Sequence, residues 1–193
     1  MCNASQASMA YFYFDYRDIT KQHWRDLALS LLTQLSSRSD LRYDILSRLY
    51  TDHDNGTQQP SDDSLKQCLM DILTVRDPHP IYLIMDALDE CPDTSEVPSP
   101  RNQILQLLEE LASLQVPNLR ICITSRPEFD IRFSLEPLTS RQVSLHDQSG
   151  QKQDIADYVR SVVYSNSEPH MRRWRSEDKE FVIKTLSERA DGM

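Results

Sequence analysis

A chain of 193 residues, 39% hydrophobic and 26% charged, can build the core of one domain of ordinary size with a small helical appendage. Its formal net charge of −9 argues against a non-specific nucleic-acid binder, which would carry a basic patch. No secretory signal is visible and no apolar run approaches the roughly 20 residues that span a bilayer, so the chain is expected in the cytoplasm.

Met9-Ala10-Tyr11-Phe12-Tyr13-Phe14 is short, aromatic and apolar, and predicts a buried strand ending at Asp15. From Lys21 to Ser37, Trp24, Leu27, Ala28, Leu31, Leu32 and Leu35 recur at helical spacing and predict an amphipathic helix. A shorter helix is expected over Leu41–Tyr50, then a polar loop, then a helix capped by Ser61 or Asp62 that carries Leu65, Cys68, Leu69, Ile72 and Leu73.

Ile81-Tyr82-Leu83-Ile84-Met85 follows the breakers Pro78-His79-Pro80 and runs without alternation, the mark of a strand buried on both faces of a parallel sheet. It ends in Asp86, Asp89 and Glu90. Beyond a Pro-rich loop, Ile104, Leu105, Leu107, Leu108, Leu111 and Leu114 predict a helix, and Asn118–Thr124 a third strand stopped by Ser125-Arg126-Pro127. Gln142–Leu145 is a weaker candidate for a fourth strand. Two helices then follow, one with Ile155, Tyr158, Val159, Val162 and Val163, the other over Glu177–Ala190, with Gly192 as a candidate cap. Arg172, Arg173 and Arg175 around Trp174 read as a solvated face. Strands alternating with helices place the chain in the α/β class with a mainly parallel sheet and a C-terminal helical segment. Cys2, Cys68, Cys91 and Cys122 make no C-x-x-C pair and no Cys/His metal spacing, and Cys122 is expected in the core.

Two strand ends carry the chemistry. Consecutive parallel strands joined by one helix are usually neighbours, so Asp86, Asp89 and Glu90 should meet Thr124, Ser125 and Arg126 at one end of the sheet. An apolar strand ending in Asp is how P-loop nucleotide hydrolases hold Mg²⁺, and a fixed guanidinium beside it suits a terminal phosphate. The competing structural reading has Arg126 simply pairing with Asp89 or Glu90.

These residues resemble a known family. Ile81 to Glu90 resembles the extended Walker B motif of NACHT-type STAND NTPases, and Ile121-Cys122-Ile123-Thr124-Ser125-Arg126-Pro127 is similar to their sensor 1 strand. Asp147 through Tyr158, and the aromatic strand before Asp15 and Arg17-Asp18, fit the same pattern. The nearest resemblance is to fungal proteins with a nephrocystin-like N-terminal domain. It implies a nucleotide-dependent signalling switch using Mg²⁺ with ATP or GTP. Asp86 would be the Mg²⁺ ligand, Asp89 and Glu90 would orient the attacking water, and Arg126, with Thr124 and Ser125 beside it, would meet the γ-phosphate. Ala87 stands where the family often has Gly. On this resemblance residues 1–150 form a partial NTPase core and residues 151–193 the start of a helical lid.

A phosphate cradle needs G-x-x-x-x-G-K-[ST], and none of the three glycines, Gly56, Gly150 and Gly192, precedes a Lys-Ser/Thr pair. The resemblance places that loop and its strand upstream, so the chain reads as a fragment, with a gap in the sheet between the Ile121–Thr124 and Gln142–Leu145 strands. Poor or no nucleotide binding, and no switch activity by this chain, are the corresponding expectations. The alternative function is a non-catalytic protein-interaction module that modulates a full-length relative, with protein partners or self-association and with no nucleic acid or membrane. A receiver-like phospho-acceptor domain would need a lysine after the next strand, where Leu145-His146-Asp147 offers none.

Overall fold

A computed structural model describes residues 7–37, 39–95, 97–144, 149–165 and 170–189. The chain divides into two compact units, Met1–Thr139 and Ser140–Met193. In the first, three strands, β1 (Ser8–Tyr13), β2 (Ile81–Asp86) and β3 (Leu119–Ile123), form a parallel sheet in the order β1-β2-β3. Helices α1 (Trp24–Ser36), α2 (Asp40–Asp52) and α3 (Asp62–Thr74) connect β1 to β2, and α4 (Pro100–Ser113) connects β2 to β3. A short helix, α5 (Phe129–Leu135), follows β3. Caps define several starts: the Ser61 side chain accepts from the Ser64 N–H at 3.1 Å, and Ser99 does the same for Asn102 at 3.2 Å, with Pro100 next in line.

The strands run one direction across the sheet, and that decides where the helices go. Two right-handed crossovers stepping the same way put both connections on the same face. Burial follows this rule. Ser8, Ala10 and Phe12 are level with Ile81, Leu83 and Met85, and those with Leu119, Ile121 and Ile123. This face packs into one core with Leu27, Leu31, Leu32 and Leu35 of α1, Leu65, Leu69 and Ile72 of α3, and Ile104, Leu108 and Leu111 of α4. The other face is uncovered. Met9, Tyr11, Tyr13 and Tyr82 are 44–53% exposed, Ile84 is half-buried, and Arg120 and Cys122 are exposed.

Two expectations are corrected here. β2 is not buried on both faces: an unbroken apolar run reports what a strand tolerates, whereas cover depends on strand order. Cys122 is not a core residue, because its register position beside Ile84 puts it on the open face. A third correction concerns the fourth strand. Residues 142–144 are irregular and exposed, and Leu145 lies outside the described residues, as do Asp147, Ala190 and Gly192.

The edges of the sheet differ. On α1, the Gln34 amide donates to the Tyr11 carbonyl at 2.7 Å and accepts the Tyr11 N–H at 3.1 Å, so a side chain completes the outer edge of β1. Arg42 of α2 is fully buried beneath the sheet. It donates to Ser8 Oγ at 2.7 Å, and its Nη2 lies 3.1 Å from Asp77 Oδ2, out of line for a hydrogen bond.

The second unit is a helical pair, α6 (Ser149–Tyr164) and α7 (Ser176–Arg189). Arg160 donates to both Glu180 oxygens at 3.2 and 3.3 Å, and Tyr164 donates its hydroxyl to the same carboxylate at 3.0 Å. Around Trp174, Arg173 and Arg175 are exposed. Among the described residues no helix is long and apolar enough to cross a membrane.

Candidate functional site

The C-terminal ends of β2 and β3 are tied by a tight set of hydrogen bonds. The Thr124 N–H donates to the Met85 carbonyl at 2.9 Å, and the Leu88 N–H donates to the Thr124 carbonyl at 3.0 Å. Between these, the Thr124 hydroxyl donates to Asp86 Oδ1 and accepts the Ala87 N–H at 3.0 Å. Among the described residues the second Asp86 oxygen takes no hydrogen bond, and the side chain is exposed. The Asp86 backbone carbonyl accepts the Phe14 N–H at 3.0 Å, which fastens the end of β1 to the same corner.

The chain then turns sharply. Ala87 adopts φ 56° and ψ 48°, the left-handed region in which a β-carbon crowds the following carbonyl. The turn continues through a single 3-10 turn, Leu88–Glu90, whose Leu88 side chain is buried. Its effect is to swing Asp89 back toward β3. Asp89 Oδ1 accepts the Arg126 N–H at 3.0 Å, and Oδ2 stands 3.5 Å from Arg126 Nε. Asp89 is 9% exposed, while Arg126 is 76% exposed with its guanidinium in solvent. Glu90 faces β1 instead, where its Oε2 accepts the Tyr16 N–H at 3.2 Å, and among the described residues its other oxygen takes no hydrogen bond. Ser125 donates its hydroxyl to the Arg126 carbonyl at 2.8 Å.

All six candidate residues, Asp86, Asp89, Glu90, Thr124, Ser125 and Arg126, thus lie at one corner of the sheet, but in three separate associations. Asp86 pairs with Thr124, Asp89 with Arg126, and Glu90 with the loop after β1. Among the described residues no three His, Cys, Asp or Glu side chains converge as a metal cluster. Asp86 and Thr124 nevertheless present two hard oxygen donors side by side, one carboxylate oxygen being free. That set fits a cation such as Mg²⁺, which keeps most of its water and takes one or two protein oxygens. An open depression of about 350 Å³ between α1 and α2 is lined by Ser36, Ser37, Ser39, Asp40 and Tyr43, and none of the candidates borders it.

Sequence reasoning missed the residue that holds the turn. Arg101, 6% exposed in the first turn of α4, donates from Nη2 to the Asp89 carbonyl at 2.7 Å and from Nε to the Cys91 carbonyl at 2.9 Å. Its Nη1 reaches Glu128 at 2.5 Å and Asp130 at 3.2 Å. Burial by itself would lower the Arg101 pKa, and the two carboxylates outweigh it and raise the pKa. A signal was present: a cation at a helix N-terminus opposes the helix dipole and needs some other purpose. The loop after β1, seen in the sequence only as part of the family resemblance, also borders the site. Asp15 accepts the Arg17 N–H at 2.9 Å, and that bond holds the Asp15 pKa below the usual carboxylate value. Gln22 donates to the Tyr16 carbonyl at 2.7 Å, so the loop meeting Glu90 is itself fastened.

No curated protein and no solved structure matches the chain. Residues 1–126 match the nephrocystin 3 N-terminal family. That span takes in all three strands, the left-handed turn, the carboxylates and Arg126, and it is well over half of the sequence. On that match the chain belongs to the nephrocystin 3 N-terminal family.

Proposed function

We propose that the strand-end corner is the cation and phosphate half of a NACHT-like P-loop NTPase site, in a module of a STAND-type signalling protein that works in the cytoplasm. The observation that carries this reading is the Thr124–Asp86 hydrogen bond, which sets two oxygen donors at adjacent parallel strand ends, beside a solvent-directed Arg126. Asp86, with Thr124, would hold Mg²⁺ through its free oxygen. Bound there, the ion would neutralise charge on the terminal phosphates of ATP or GTP. Arg126 would reach those phosphates, supported by the hydrogen bond from its N–H to Asp89. Glu90 has an oxygen free to orient water.

Paramagnetic Mn²⁺, followed by NMR line broadening, tests the cation half. Broadening should begin at the Asp86, Ala87 and Thr124 amides and vanish in Asp86→Asn. Broadening spread over the acidic surface and indifferent to that substitution would refute the reading. For the phosphate half, Arg126→Ala should erase any preference of the Mg²⁺-loaded chain for triphosphate over diphosphate.

The uncovered sheet face favours a second reading, a non-catalytic interaction module that modulates a full-length relative. Binding to an intact P-loop relative that is lost on adding charge to that face, with no hydrolysis, is its expected signature.

A further inference from the structure

The open face of the sheet is largely aromatic and apolar, with an arginine at one end and a carboxylate at the other. In register, it forms three rows across the strands: Met9–Tyr82–Arg120, Tyr11–Ile84–Cys122 and Tyr13–Asp86. Its own strands carry two charges, Arg120 in the first row and Asp86 in the last, on adjacent strands, and the Lys21 ammonium lies 4.4 Å over the Tyr13 ring at the rim. Parallel sheets are ordinarily covered on both faces, because their strands carry apolar side chains on both. Here the second face is left to solvent, with three tyrosines each about half exposed.

We infer that this face pairs with the same face of a second copy of the chain. A two-fold axis across the strands makes the two sheets antiparallel, an isologous arrangement. The Tyr13–Asp86 row of one copy then lies over the Met9–Tyr82–Arg120 row of the other, and the middle row lies over itself. Arg120 meets the partner copy's Asp86 and Thr124 end, and among the described residues of its own chain only its Nη1 is engaged, by the carbonyls of Pro117 and Leu119 at 2.8 Å. Ile84 stacks on Ile84, and Cys122 faces Cys122. The opposite choice, with strands parallel, would set Arg120 over Met9 and leave both charges unpaired.

The area is sufficient, though not large. A fully buried aromatic side chain covers about 150–250 Å², so each half-exposed tyrosine has about 100 Å² to cover. With Met9, Ile84, Arg120 and Cys122, the face offers about 500 Å² per copy and about 1,000 Å² for the pair, where specific interfaces begin. A reversible dimer with a micromolar dissociation constant is the expected outcome. The pairing deepens the interaction reading by naming a partner, and it applies to the cation-free chain, in which Asp86 is open to Arg120 of the second copy.

Sedimentation equilibrium on the full chain across the micromolar range should show a monomer–dimer equilibrium. Tyr82→Glu puts a carboxylate on the middle strand of an exposed face, opposite the second copy's Asp86, and should give a monomer with unchanged melting temperature. In a Cys2→Ser background, a short bismaleimide should link copies through Cys122, since Cys68 and Cys91 are buried, and Cys122→Ser should remove the product. A monomer throughout, or a dimer that survives Tyr82→Glu and does not cross-link at Cys122, overturns the pairing. The interaction reading falls only if the chain also fails to bind an intact P-loop relative.

Discussion

Replacing Ala87 by Gly should stabilise the protein, against the usual direction for that substitution. Ala87 sits at φ 56°, and the left-handed conformation costs an L-residue about 1–2 kcal/mol. Glycine removes that cost but gains freedom in the unfolded chain, which offsets about 0.4–1 kcal/mol. The half-buried methyl group contributes a further loss of up to about 0.4 kcal/mol, half the value of a buried methylene. The net gain is about 0.5 kcal/mol. Ala87→Val gives the opposite limit, since a β-branched side chain in this region adds strain and should cost about 2 kcal/mol or more. Urea unfolding of the three proteins measures both, read as a shift of midpoint at constant slope. If glycine destabilises by the ~0.5–1 kcal/mol typical of a helix or strand interior, Ala87 is not left-handed in solution, and the placement of Asp89 against Arg126 loses its cause.

Three further predictions come from buried charge and from the sheet edge. The Asp77 pKa lies below its ordinary 3.8, chiefly because the carboxylate accepts the His79 N–H, with His79 Nδ1 and Arg42 also facing it. A depressed carboxylate stabilises the fold above its unfolded pKa and loses that contribution as pH falls. Wild type should therefore lose stability below about pH 4 more steeply than Asp77→Asn, as thermal melts over an acid pH series would show. Arg101→Ala should cost about 3–5 kcal/mol, leaving Glu128 and two carbonyls without their donor, and Arg101→Lys should recover only part of it, since an ammonium cannot span four acceptors. Gln34→Ala should cost about 1 kcal/mol and speed amide exchange at Tyr11, where Gln34→Leu should do no better. Unchanged exchange at Tyr11 would show that the β1 edge is completed by some other group.

Much of this fold is written locally. The helices over Trp24–Ser36, Asp62–Thr74 and Pro100–Ser113 are legible because their leucines and isoleucines repeat at 3.6-residue spacing behind recognisable caps. The strand ends are legible too: an apolar run stopped by Asp86, another stopped by Thr124-Ser125-Arg126, joined by one helix, suffice to place both at one corner of a parallel sheet. α5 and the turn at Ala87 left no such pattern, since seven residues are too few to show a period and alanine is no marker of a left-handed turn.

What only the tertiary structure decided is which side of each element meets water. The run Ile81–Met85 has an apolar residue at every position, so it is equally compatible with one covered face or two. Strand order resolves it: β1, β2 and β3 step in one direction, right-handed crossovers then send the connecting helices of this unit to the same side, and Tyr82, Ile84, Arg120 and Cys122 are left on the other. The same holds for the two buried arginines. Arg42 and Arg101 look like surface residues in their own helices, and each is drawn inside by charged or hydroxyl partners 27 or more residues away, Ser8 and Asp77 for one, Glu128 and Asp130 for the other, which is also held by the nearer Asp89 and Cys91 carbonyls. Local periodicity records the choices a segment makes alone. A buried guanidinium is stable only through groups brought to it by the rest of the chain, and no window of sequence contains them both.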